Sequence, residues 1–244
     1  MDGKIFIVGI GPGGKDNITF KAMEVLKNSD VIVGYKTYTD LVKDFIFDKQ
    51  IVSSGMKKEV ERCNEVFELA KNGKTVSLIS SGDAGVYGMA GIMLEVLQKE
   101  NSNIELEVVA GVTSSLYSAS LLGAPLMNDF ATISLSDLMI DFDVIKKRLE
   151  LAAMGDFVIS LYNPKSKERQ NQIVEAQNIL LKYRKSTTPV GIVKNGGRAD
   201  CVVIITTLGD MLNHDIDMTT TIIIGNSQTY IWNNKIITPR GYIL

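Results

Sequence analysis

A single histidine, two cysteines and one tryptophan are all that the 244 residues contain of those types. One histidine excludes a histidine-rich metal centre, and a Ser-His-Asp triad would have to rest on His214 alone. Its polar surroundings, MLNHDID, point to a surface position instead. Cys63 and Cys201 are isolated, without metal-ligand spacing or a disulfide framework, and are expected as reduced packing residues of a cytoplasmic protein. Long hydrophobic runs are missing too. VVII (202–205) and IIIG (222–225) fall far short of a bilayer span, and the opening MDGKIFIVGIGPGG carries no basic leader. Nor is one charge sign in excess: 26 Lys and Arg against 28 Asp and Glu give a net charge of −2, without the basic footprint that nucleic acid requires. The expected partners therefore include neither nucleic acid nor a membrane, no metal is expected, and the expected location is the cytoplasm.

What remains is ordinary globular composition, 45% hydrophobic and 22% charged, enough for one large domain or two modest ones. Strand candidates at 4–9, 31–34, 75–80 and 104–109 alternate with helical periodicity at 19–28, 58–72 and 88–100, the pattern of βα units on a largely parallel sheet. Met89, Ile92, Met93, Val96 and Leu97 share one helix face, as expected for packing on that sheet. Residues 125–140 read as a seam of mixed polarity that connects an N-terminal domain, 1–124, to a C-terminal one, 141–244. Beyond the seam strands outnumber helices: strands at 157–161, 190–194, 201–207 and 220–225, a helix at 167–184, and a hairpin, 229–232 and 235–238, turning on Asn233-Asn234. The fold class read here is α/β, with a mixed sheet in the second domain.

Gly9, Gly11 and Gly14 fit the G-x-G-x-x-G of a dinucleotide site, but the context fails. KDNIT delays the helix start to an N-cap at Asp16, Asn17 or Thr19. Pro12 removes a backbone donor, and the second strand, DVIVGY, ends without the acid that would hold a ribose. No glycine loop is followed by G-K-[ST], which excludes a P-loop. Chemistry is expected instead in other loops at strand ends. SSGDAGVYGMAG allows close backbone approach at Gly82 and Gly85 and supplies the Asp83 carboxylate, with Val86 and Tyr87 as an apolar wall. Thr113 or Ser114 caps a helix and also reaches a neighbouring ligand. LYNPKSKER and VKNGGRADC gather Lys165, Lys167, Arg169, Lys194 and Arg198, either as a solvated surface or as a receptor for a polycarboxylate.

VGIGPGG…IT, SSGDAGVYGMAG, GVTSS, LGAPL, ISLSD, LYNPKS and GNSQTY occur in the order seen in the tetrapyrrole (corrin/porphyrin) methyltransferases of cobalamin biosynthesis, and the chain resembles that family over essentially its whole length. GYKTYTDL, SGDAGVYGMAG, DFATISLSDL and LYNPKSKER resemble the branch acting on precorrin-3-type rings. The resemblance implies a two-domain tetrapyrrole methylase fold (class III S-adenosylmethionine-dependent), a homodimer, and cofactor held between the domains largely by main-chain groups. It implies methylation of the ring at C(17) with ring contraction, releasing S-adenosylhomocysteine. Carried over by position, the cofactor residues are Gly82, Asp83, Val86, Thr113, Ser114, Tyr162, Asn163, Gly191, Ile192, Val193, Thr219, Thr220 and Thr221. The substrate residues are Gly11, Pro12, Gly13, Lys165, Arg169, Lys194 and Arg198, and the polar candidates for catalysis are Asp83, Ser136 and Asp137. Departures from the family pattern stand at Ala110, where proline is common, at Asn128, where histidine is usual, and at Lys194 and Gly196, where an arginine-alanine version is more usual.

Overall fold

The computed structural model describes residues 3–46 and 49–243, and the chain divides into two compact units, Met1–Ser114 and Ser115–Leu244. The first unit contains β1 (Lys4–Gly9), α1 (Phe20–Asn28), β2 (Val31–Tyr35), α2 (Lys36–Val42), β3 (Gln50–Ser54), α3 (Glu59–Lys71), β4 (Thr75–Ser80), α4 (Ala90–Lys99) and β5 (Glu105–Val109). Its five strands are all parallel, in the order β3-β2-β4-β1-β5. Side chains alternate across a strand, so each one feeds two cores. Ile5, Ile7, Val31, Val33, Val76 and Leu78 pack on one face with Cys63, Val66 and Phe67 of α3 and Met93, Val96 and Leu97 of α4. Val8, Ile32 and Ile79 pack on the other with Ala22, Val25 and Leu26 of α1 and Val42 of α2.

The second unit contains α5 (Ser114–Leu122), whose first residue closes the first unit, then β6 (Gly123–Ala124), β7 (Phe130–Ser134), α6 (Phe142–Met154), β8 (Val158–Tyr162), α7 (Gln172–Leu181), β9 (Pro189–Lys194), β10 (Val202–Thr207), β11 (Thr220–Ile224), β12 (Tyr230–Trp232) and β13 (Lys235–Ile237). Its main sheet runs β10-β9-β11-β8-β7, with β7 and β8 parallel and the other neighbours antiparallel. A small sheet, β12-β13-β6, completes the unit. α6 and α7 cover one face, with Ile145, Leu149, Ile173, Ala176 and Leu180 on Ile159, Leu161, Val190, Ile192 and Ile222. Ala119 and Leu122 of α5 and Ile236 of β13 cover the other, on Val158, Val193 and Ile223. α5 seats closely because Gly191 has no side chain: a Cβ there would lie 2.3 Å from Leu122 Cδ1.

The fold is the α/β pairing of a parallel sheet with a mixed one. The segment 125–140 holds β7, paired with β8 at the edge of the second sheet. Its mixed polarity is that of an edge strand, with one side in the core (Ile133) and Phe130 exposed. Helix α6 is a second helix that the sequence reading did not place, although Ile145, Leu149 and Ala153 stand at helical spacing. The Asn233-Asn234 turn has φ of 45° and 55°, the pair of positive values that a two-residue I′ turn requires. Cys63 is buried, and burial pushes its thiol up to about 11; Cys201 is exposed, contrary to the packing role expected of it. His214 is half-buried, its Nε2 3.1 Å from Thr206 Oγ1. No helix among the described residues is long and apolar enough to cross a membrane.

Candidate functional site

At the carboxyl ends of β1, β4 and β5 three loops are tied into a closed ring, where ligands bind in open parallel sheets. Gly11 N donates to Gly82 O at 3.0 Å and Gly82 N to Gly11 O at 2.8 Å, joining the first loop to the second. Asp83 joins the second to the third: its Oδ2 accepts from Gly111 N at 2.9 Å and its Oδ1 from Gly85 N at 2.8 Å. Thr19 joins the third to the first, donating from Oγ1 to Ala110 O at 3.3 Å while accepting from Ala22 N as the N-cap of α1. At its glycines the ring packs backbone against backbone. A Cβ on Gly111 would lie 2.2 Å from Gly82 O and 2.6 Å from Gly9 O, and one on Gly9 would lie 2.7 Å from Gly111 N.

Helix α1 starts late, as expected, and of the three candidate caps it is Thr19 that serves, five residues after Gly14, so Gly14 does not set the N-terminus of α1 on a pyrophosphate. Asp30, at the start of β2, accepts from Thr75 N and is structural. Gly11, Pro12 and Gly13 are buried, with Asn17 Nδ2 folded back on Gly13 O at 2.7 Å and Gly11 at φ +73°. Gly82 is buried beside Thr113 and Ser114, whereas Gly85, Val86 and Tyr87 are exposed.

In the second unit the carboxyl ends of β7 and β8 form another cluster. Tyr162 Oη accepts from Ser115 N, in the first turn of α5, at 2.7 Å. Asn163, held at φ +51°, donates from Nδ2 to Ser134 Oγ at 3.0 Å, and Ser136 N donates to the same hydroxyl at 3.2 Å. Arg169 is buried. Its Nη1 donates to Leu135 O and Asn163 O, both at 3.2 Å, and its Nε lies 3.9 Å from Asp137 Oδ1. Asp137 Oδ2 also accepts from Gln172 Nε2 at 2.8 Å. Arg169 and Asp137 thus brace two loops against each other.

At the same end of the second sheet, since Leu161 pairs with Ile222 and Lys194 with Thr220, lie Lys194, Arg198 and Thr219–Thr221. Lys194 Nζ is bound by two carboxylates, Asp215 at 2.5 Å and Asp217 at 2.8 Å. Hydrogen bonding to Asp215 first, then to Asp217, holds its pKa above the ordinary 10.5. Burial alone would raise Asp217, but hydrogen bonds from Lys194 and from the hydroxyl and N–H of Thr219 outweigh it and set its pKa at about 2. The clamp therefore fixes the turn into β11. Gly191, Ile192 and Val193 lie inside the sheet, paired with β10 on one side and β11 on the other, and the last two side chains are core. GNSQTY follows β11 at the opposite end.

The Asp217 carboxylate has a sign-definite pH signature. Its folded pKa is depressed, so its contribution is complete above the ordinary 3.8 and is lost as pH falls from there through about 2. Asp217→Asn is expected to be less stable than the parent near neutrality, with the difference closing across that acid window in urea melts. A difference that persists unchanged below the window would remove Asp217 from the clamp.

Sequence reasoning missed the ring formed by Gly9, Gly82 and Gly111, the Tyr162–Ser115 bond and the acids on Lys194. Asp215 and Asp217 are visible in the sequence, but only antiparallel pairing brings them to Lys194. No group of three or more His, Cys, Asp or Glu placed to hold a metal occurs among the described residues.

The fold and these clusters define a two-unit α/β protein whose candidate site residues, apart from Gly191–Val193, stand at strand ends and on the loops that follow them. Residues 4–212 match the family described as Tetrapyrrole (Corrin/Porphyrin) Methylases, and the chain belongs to that family. It is 52% identical over 246 residues to a cobalt-factor III methyltransferase of Priestia megaterium, covering 99% of this chain but 46% of that longer relative. It is 49% identical to a probable cobalt-factor III C(17)-methyltransferase of Salmonella typhimurium, covering 98% of this chain and 99% of the relative. The crystal structure of the methyltransferase CobJ matches with a TM-score of 0.91 at 31% identity, over 97% of this chain and all of that one.

Proposed function

We propose that this chain is an S-adenosylmethionine-dependent C-methyltransferase that methylates a precorrin-3-type tetrapyrrole, cobalt-factor III or precorrin-3B, at C(17) in cobalamin biosynthesis, with associated ring contraction. The observation that carries the reading is the end-to-end match to the Salmonella relative. S-adenosylmethionine supplies a methyl group on a sulfonium, and its transfer is an in-line displacement that asks the protein for positioning and exclusion of water more than for acid–base groups. A chain with one histidine suits that demand.

The cofactor residues proposed in the first unit are Gly82, Asp83, Val86, Thr113 and Ser114. The buried, side-chain-free corner at Gly82 and the exposed turn after it suit a ligand that approaches the main chain closely. In the second unit they are Tyr162, Asn163 and Thr219–Thr221, with Gly191–Val193 as their support, because those three have their backbone groups within the sheet. Lys165 and Arg198, half-buried and without an ion pair among the described residues, are proposed to receive substrate carboxylates. Arg169 and Lys194 are proposed to shape that region, since their charges are engaged by protein groups. Of the polar candidates for ring contraction, Asp83 and Asp137 already accept hydrogen bonds, and the Ser136 hydroxyl has no hydrogen-bond partner among the described residues. We further take the enzyme to be a cytoplasmic homodimer; the exposed run Leu138-Met139 suits an interface.

The test is anaerobic incubation with cobalt-factor III beside aerobic incubation with precorrin-3B, each with S-adenosylmethionine. One added methyl group at C(17), read by mass and NMR spectra, is expected. Calorimetry with S-adenosylhomocysteine should show binding and NADPH none; no affinity for the homocysteine product would sink the methylase reading.

A further inference from the structure

Phe20, the first residue of α1, is 96% exposed, and its ring meets no other ring and no cation among the described residues. Helix α1 turns Ala22, Val25 and Leu26 into the core of the first unit. Phe20, Glu24 and Lys27, at i, i+4 and i+7, share the opposite face, and the last two are the exposed charges that such a face ordinarily carries. The ring does not serve the start of the helix either. Thr19 is the cap, and Ile18 before it is the apolar residue that packs on the core. An aromatic side chain loses rotamer freedom in a helix, so nothing local calls for phenylalanine here.

Its place is the carboxyl edge of the parallel sheet, where ligands of such sheets bind. Thr19, its neighbour, closes the ring of tied loops through Ala110 O, and the chain leading to it from β1 carries Gly11, Pro12 and Gly13. We propose that the Phe20 ring is an apolar contact for the flat face of the tetrapyrrole macrocycle, a further specificity-determining residue of the proposed site. The inference rests on the methyltransferase reading. Of the two ligands in that reading the macrocycle fits, because the cofactor residues proposed in this unit follow β4 and β5, whereas Phe20 follows β1. A ring open on nearly every side also suits a broad flat surface better than a small ligand enclosed in a pocket. Laying the macrocycle on it takes apolar area of both from water and adds offset stacking, which any aromatic side chain supplies.

The experiment compares the parent, Phe20→Ser and Phe20→Trp by thermal melting, by sedimentation, by calorimetry with S-adenosylhomocysteine and by anaerobic absorbance titration with cobalt-factor III. F20S is expected to melt, sediment and bind S-adenosylhomocysteine as the parent does, yet to bind cobalt-factor III about tenfold more weakly, while F20W matches the parent. Unchanged affinity of F20S for cobalt-factor III overturns the contact and leaves the methyltransferase reading standing. So does an F20W protein as weak as F20S. Any loss of affinity for S-adenosylhomocysteine overturns it in favour of a ring that serves the cofactor. A lower melting temperature or a changed oligomeric state overturns it in favour of a structural ring or a contact between copies. If the parent does not bind cobalt-factor III, the reading itself fails and the contact falls with it.

Discussion

Gly111→Ala is expected to lower the melting temperature by roughly 6–12 °C and to weaken S-adenosylhomocysteine binding by at least about tenfold. The added methyl would sit 2.2 Å from Gly82 O and 2.6 Å from Gly9 O, and both are backbone atoms that no rotamer change can move aside. Relief requires the loop after β5 to withdraw from those after β1 and β4. That withdrawal stretches the Gly111 N–H to Asp83 Oδ2 bond and leaves a half-buried donor short of its partner. Overpacking and the lost bond together amount to about 3 kcal/mol, which in a chain of this size corresponds to the shift stated. Asp83→Ala is the milder companion, because it removes the tie without inserting an atom; it should melt closer to the parent and still bind more weakly. Melting curves and calorimetry decide it. A Gly111→Ala protein that melts within about a degree of the parent, well inside the shift that a 1 kcal/mol loss produces, would show that the three loops are not tied as described.

Arg169→Met is expected to destabilise the second unit by about 3 kcal/mol, read as a lower urea midpoint with an unchanged slope. The guanidinium donates to two carbonyls, Leu135 O and Asn163 O, and lies beside Asp137. Methionine replaces the aliphatic stem but leaves both carbonyls unpaired and Asp137 without its cation. Arg169→Lys should fall between, since one ammonium cannot reproduce a planar fork. The sequence reading assigns Arg169 to substrate carboxylates, and the same variant separates the two roles. A residue gripping substrate would lose macrocycle affinity at full stability; a brace loses stability first, and activity follows as Asn163 leaves its φ of +51°.

The strands of the first unit were legible because a parallel sheet covered on both faces reads as near-continuous apolar runs, as in KIFIVG and TVSLIS. A late cap, narrowed to Asp16, Asn17 or Thr19, and Asn233-Asn234 as a turn were legible for an equally local reason: each requires particular side chains at particular backbone angles. β7 was not, since an edge strand has one wet side and its apolar alternation dissolves into mixed polarity. At the site, glycine clusters and charges mark which loops are unusual, and the ordered motifs point to the tetrapyrrole methylases.

By itself, then, the sequence determined the alternation of strands and helices, the failure of the dinucleotide motif and the family. Only the tertiary structure decided what the polar groups do there. Asp83 accepts from Gly85 and Gly111, Arg169 braces Asn163, and Lys194 is held by Asp215 and Asp217. The physical reason is that a charge in a sequence has no partner until the chain folds. Strand pairing brings residues far apart in sequence within hydrogen-bond reach, and that proximity turns a cation expected to bind ligand into one that holds a loop.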